Sequence, residues 1–209
     1  MRNILSISLI ILAGCLPAVG APSGLNMIPT ADVLDRGAMS LETESDGTGR
    51  PWSDDCDSFA LFQFGVGGGV ELGVDSCTNH PDAWVNCKWR IRSESSRLPA
   101  VALGVQALNY DGHTEPYAVA TKTVARARFH AGLIGIESRA SWMIGIDHPL
   151  SERVAFQADC IDGKQYMTAL GIAIDLTDSL SLTLAKTLGH TDGTGDGHVV
   201  NLAWTATLK

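Results

Sequence analysis

Four charged residues, Glu71, Asp75, Lys88 and Arg90, have the types and spacing that could do chemistry. From Val70 to Ile91 the chain alternates. Val70, Leu72 and Val74 oppose Glu71 and Asp75; Val85, Cys87, Trp89 and Ile91 then oppose Trp84, Asn86, Lys88 and Arg90. Successive side chains of a strand point to opposite faces, so each arm of this hairpin has one apolar and one polar side. Antiparallel pairing about a loop at residues 77–83 brings Glu71 near Lys88 on the polar side. Charges so placed either select solutes or fill a narrow interior with salt bridges.

Other reactive residues carry less. Cys56 sits late in the first long loop and Cys77 begins the loop after the third strand, so both fall on the same rim, and a loop-pinning disulfide between them is the expectation in an oxidising compartment. Cys87 and Cys160 read as small hydrophobes within or at the end of strands. The loop from His190 to His198 offers Asp192, Asp196 and two histidines but lacks the acidic spacing of a calcium loop, so it reads as a solvated turn. Gly65 to Gly69 is a tight turn, because no helix follows it to bind phosphate. His130 and Ser141 could approach across a hairpin, which reads as chance proximity and not as a catalytic pair. No catalytic residue, metal site or cofactor is expected, and the chain is not read as an enzyme.

The elements that must position these groups are strands. Leu170, Ile172 and Ile174 alternate with Ala169, Gly171 and Ala173; Leu180, Leu182 and Leu184 alternate with Ser181, Thr183 and Ala185. One face is greasy and the other small or polar, the pattern of a sheet closed around a wet lumen with its outside in lipid. Twelve such segments are predicted, at 39–45, 58–65, 69–76, 84–91, 100–107, 115–123, 127–136, 141–147, 153–160, 166–175, 179–187 and 198–208. The connections after even strands, Ser93 to Pro99 among them, all read as short, whereas those after odd strands include the long Asp46 to Asp57 and Leu188 to Gly197. Trp84, Tyr117, Trp142 and Tyr166 begin even strands on the long-loop rim, a candidate girdle at the level of the lipid headgroups, with Trp204 towards the other rim.

The chain opens with Arg2 and an apolar run from Ile4 to Leu12, of signal-peptide length and too short to span a bilayer as a helix. Two processing sites compete: Ala18-Val19-Gly20, and a lipobox-like Leu12-Ala13-Gly14-Cys15 whose cysteine would be lipidated. A cut after Gly20 leaves 14 basic and 23 acidic residues, a net charge of −9 with no basic run, which excludes nucleic acid as a partner. The organisation read from the sequence is a signal peptide at 1–20, an irregular segment at 21–38 and a barrel domain at 39–209. The fold class is all-β, an antiparallel up-and-down transmembrane barrel of about twelve strands.

Gly24-Leu25-Asn26-Met27-Ile28-Pro29-Thr30-Ala31, followed by Gly37 and a first strand at Met39 to Glu44, resembles the opening of a group of bacterial outer-membrane barrels. That group includes the YjbH-like proteins linked to exopolysaccharide production. Met143 to Val154 and Leu170 to Leu180 resemble the strand-turn-strand repeats of the same class. The resemblance implies an envelope barrel tied to polysaccharide or solute passage and carries over no catalytic residue. The expected location is the outer membrane, with outer-membrane lipid and its assembly machinery as partners. The function expected is a narrow pore or export accessory. Two alternatives stand beside it: a non-transporting structural or surface-interaction barrel, and a soluble periplasmic sandwich or ligand-binding barrel whose apolar side faces inward.

Overall fold

In the computed structural model, residues 24–54, 56–78, 83–110, 113–136, 139–163, 167–190 and 196–208 are described. The strands are β1 (Ala38–Gly47), β2 (Cys56–Gly67), β3 (Val70–Cys77), β4 (Trp84–Arg92), β5 (Ala100–Tyr110), β6 (His113–Val124), β7 (Ala127–Ile136), β8 (Arg139–Pro149), β9 (Val154–Ile161), β10 (Met167–Asp175), β11 (Leu180–Gly189) and β12 (Gly197–Thr207). Each pairs antiparallel with its chain neighbours, and β1 pairs with β12, so the sheet closes into a twelve-stranded barrel. Closure leaves no open edge whose backbone groups would need partners.

The alternation of residue types sets which way each strand faces. Leu170 and Ile172 are each 42% exposed on the outside, while Ala169 and Ala173 between and beside them are buried inside. Leu41, Leu72, Leu103, Leu133, Ile144 and Leu184 continue the outer belt around the barrel. Apolar area of that extent is unfavourable in water by about 25 cal/mol per Å² and suits hydrocarbon. The alternative of a soluble sandwich with the apolar side inward is therefore corrected: the apolar side faces out.

The strands run eight to twelve residues, several of them longer than their alternation alone suggests. β5 and β6 continue to Tyr110 and His113, leaving two residues between them, because the two strands go on pairing with each other, Tyr110 opposite His113, past the end of the pattern. The rim asymmetry is correspondingly weak. Residues 48–55 and 190–196 are long connections after odd strands, but 93–99, after β4, is also long.

Residues 24–37 precede β1, and 24–34 lie inside the barrel. Leu25, Ile28 and Ala31 are buried in one apolar cluster with Tyr117, Val119, Ile134, Met143 and Ile161 of the wall. The irregular segment expected before the first strand is thus the core of the lumen, a plug.

Candidate functional site

The plug enters the barrel beside β2. Gly37 donates its N–H to Gly65 O at 2.8 Å, and a Cβ added at Gly65 would stand 2.0 Å from Asp35 O and 2.6 Å from Leu34 O. Only a residue without a side chain lets the backbone pass there. From that point Leu34 N–H donates to Glu71 Oε2 at 2.8 Å, and Lys88 Nζ donates to the Asp32 carbonyl at 2.9 Å. The Arg128 guanidinium pairs with the Asp32 carboxylate. The segment then crosses to the far wall and ends in a tight turn, closed by Leu25 N–H to Ile28 O at 2.9 Å.

Asp159 holds that turn. Its carboxylate accepts from Asn26 Nδ2 at 3.0 Å, Met27 N–H at 2.6 Å and Ile28 N–H at 3.0 Å. Two successive backbone donors aimed at one carboxylate form a small anion nest, here occupied by the barrel's own side chain. Asp159 belongs to an inward-facing rung in which Thr121, His130, Gly145, Asp159 and Ala169 sit opposite one another on successive strands. Gly145 makes room for the turn, since a Cβ there would lie 2.6 Å from Leu25 Cδ1 and 2.8 Å from Ile28 Cδ1.

On the same rung, His130 Nδ1 lies 2.9 Å from Thr121 Oγ1 and its Nε2 lies 3.0 Å from Asp147 Oδ2. Ala31 N–H donates to Thr121 Oγ1 at 3.0 Å. With Nε2–H donating to Asp147, Nδ1 accepts from the threonine hydroxyl, whose oxygen is left to accept from the plug. The order threonine, histidine, aspartate resembles a hydrolytic relay, but all three are buried and the plug backbone caps the hydroxyl. Its role here is to hold the segment. Ser141 stands opposite Ile134, well along the strand from His130.

The four charges of the β3–β4 hairpin separate. Glu71 and Lys88 face each other in register at 3.8 Å, buried beneath the plug, and Asp75 pairs with Asn86. Arg90 shares their parity but lies nearer the short-turn rim, opposite Ala102. Sequence reasoning missed Glu42 and Glu44 on the inner face of β1. Asn201 Nδ2 lies 3.0 Å from an oxygen of each. Together with Glu71, Asp75 and Lys88 they line a cavity of about 280 Å³ whose other side is the plug turn, Gly24 and Met27 to Pro29.

The candidate girdle needs correction. Trp84 faces the lumen cavity, edge to face with Phe59 at 6.3 Å between ring centroids, and Tyr117 is buried in the lumen over Gly104. Both share a parity with inward polar residues, Trp84 with Lys88 and Tyr117 with Thr121, and strand alternation outweighs the rings' preference for an interface. Trp142 faces out; Tyr166 is outside the described residues. Trp89 and Trp204 also face out, opposite Val70 and Leu180, which begin β3 and β11.

Cys56 and Cys77 are free, which corrects the expected disulfide. Cys77 pairs with Phe59, three residues along β2 from Cys56, a backbone offset of about 10 Å against the roughly 7 Å limit for a bridge. Cys87 and Cys160 are also free. The histidines of the last loop diverge: His190 Nε2 meets Thr168 Oγ1 at 3.0 Å, and His198 Nε2 lies 3.9 Å from Cys56 Sγ. Asp192, Cys15 and the processing sites lie outside the described residues. No cluster suited to a metal ion occurs among the described residues.

No protein-family model matches the chain, and no curated protein matches it in sequence. Solved structures match it in fold. The KdgM porin superposes with a TM-score of 0.56 at 8% identity, over 79% of this chain and 98% of that one. The KdgM porin in complex with disordered oligogalacturonate superposes with a TM-score of 0.55 at 7% identity, over 82% and 99%. What is shared at this identity is the barrel fold of a porin.

Proposed function

We propose that the chain is a porin-like barrel of a bacterial outer membrane that passes small solutes and is closed, in the conformation described, by its own N-terminal segment. The porin fold and the outer apolar belt support the location. The observation that carries the closure is the path of residues 24–34: inside the lumen, outside the strand order, and tied to the wall through the side chains of Asp159, Thr121, Glu71, Lys88 and Arg128. Withdrawal of such a segment breaks side-chain bonds and leaves every strand ladder intact. A role in polysaccharide export, which the opening motif suggests, would need the same withdrawal, because the residual cavity admits only a small solute.

The test is conductance in planar bilayers. The full chain is expected to stay mostly closed, Asp159→Asn to open at least severalfold more often, and a chain lacking residues 24–35 to conduct continuously. A plug-less barrel that keeps its heat-sensitive electrophoretic mobility yet never conducts would sink the reading. It would favour a structural barrel whose lumen stays closed without the segment.

A further inference from the structure

We propose that the cavity between the plug turn and the β1–β4 wall binds a small solute carrying two or more ammonium groups. This rests on the reading of the lumen as the functional site and specifies what it takes.

Five charged side chains line the cavity: Glu42, Glu44, Glu71, Asp75 and Lys88. Glu71 and Lys88 are committed elsewhere. They pair with each other at 3.8 Å and also hold the plug, through Leu34 N–H and the Asp32 carbonyl. Glu42, Glu44 and Asp75 have no ion pair with any described lysine, arginine or histidine. Neutral donors are what they have: Asn201 between the two glutamates, the Ser40 hydroxyl on Glu42 at 3.1 Å, and on Asp75 the Asn86 amide, held by one oxygen, with the Trp84 indole N–H beside it. The other oxygen, Asp75 Oδ1, has no hydrogen-bond partner although the residue is only 9% exposed and lines the cavity. A buried carboxylate oxygen without a donor is a position where a ligand's N–H fits.

Register fixes the spacing. Glu42, Leu61, Asp75 and Trp84 form one inward rung across β1 to β4, and Glu44 lies one inward position further along β1. Neighbouring inward positions on a strand are about 7 Å apart, and positions two strands apart about 10 Å. One compact ion cannot reach all three carboxylates, and the described residues hold no cluster suited to a metal. A flexible solute with ammonium groups several ångströms apart can, and the Trp84 ring beside Asp75 adds a face that attracts cations. The cavity, about 280 Å³, lies at the lower limit of ligand pockets, which suits an aliphatic polyamine. The same carboxylates repel acidic oligosaccharides, so the oligogalacturonate held by the KdgM porin is not the ligand chemistry of this lumen.

The experiment is calorimetric titration of the purified full chain in neutral detergent with spermidine, and separately with trigalacturonate. Saturable spermidine binding is expected, weakened at least tenfold in Glu44→Gln and in Asp75→Asn and unchanged in Glu94→Gln, which lies outside the cavity. Each variant is first checked for its heat-sensitive mobility, and two single variants at different strands guard against one failing to fold. Absence of saturable spermidine binding, affinity in both cavity variants equal to that of the parent chain, or preference for trigalacturonate would each overturn the proposal. Binding in detergent does not depend on conduction. A barrel that binds spermidine but never conducts sinks the transport reading alone; one that conducts without binding sinks this one alone.

Discussion

At Gly65 and Asp159 single atoms decide whether the lumen is filled. The Gly65→Ala variant puts a methyl group against the backbone of Leu34 and Asp35, which has no side-chain end to swing away. The plug is expected to leave its mouth, at a cost of about 1–3 kcal/mol to the filled state. Protease cleavage within residues 24–35, absent in the parent chain and present in the variant, would report it. Asp159→Ala removes the acceptor from two backbone N–H groups and is expected to cost about 1–3 kcal/mol for each that stays buried and unpaired. A plug equally protected in both variants would mean that the apolar cluster alone holds it. A third expectation concerns thiols: Cys56 and Cys77 should both react with an alkylating reagent in denatured, unreduced protein, together with Cys87 and Cys160, giving two more added masses than a chain bridged between Cys56 and Cys77.

At the scale of elements, the β4–β5 connection shows how a turn can be clamped from outside the ladder. Glu94 accepts from Lys122 Nζ at 2.8 Å, Thr123 N–H at 2.8 Å and Thr123 Oγ1 at 2.9 Å. Partial burial acts to raise the Glu94 carboxyl, but the bonds from Lys122 and Thr123 outweigh it and hold the group below its ordinary range. A depressed folded-state value means that the contribution to stability is fully present above the unfolded value, about 4.3, and is lost as pH falls through the folded one. Hydrogen-exchange protection of the Thr123 amide should therefore drop in acid, and in Glu94→Gln should be low already at neutral pH with no further acid step. An identical pH profile in the variant would refute the clamp. The strands were legible because alternation is local: Leu170 and Ala169 declare their faces without reference to the rest of the chain. The plug was not, because residues 24–35 have no period of their own and acquire partners about 130 positions away in Asp159. A signal did exist in the inward parity, where Gly65, Gly145 and Gly171 interrupt strands that gain nothing from glycine unless another backbone or side chain comes close. Glu42 and Glu44 were readable by the same parity as Glu71 but lay in the first strand, away from the hairpin whose opposite charges drew attention.

For the whole molecule, the barrel and its filling are held by different forces, and this separates their stabilities. Strand pairing and the apolar belt belong to the wall, whereas the plug depends on a few charged anchors and one apolar cluster. Deleting residues 24–35 should accordingly leave the heating midpoint for loss of the compact electrophoretic form nearly unchanged; a collapse of that form would show that the wall needs its filling. The placement of the plug also orders events in time. The concave surface that receives Leu25, Ile28 and Ala31 is built from β5 to β9 and exists only once those five strands have paired and curled. Residues 24–34 precede those strands in the chain, so they leave the ribosome before the surface that receives them exists. They must wait unplaced while the wall that will enclose them takes shape.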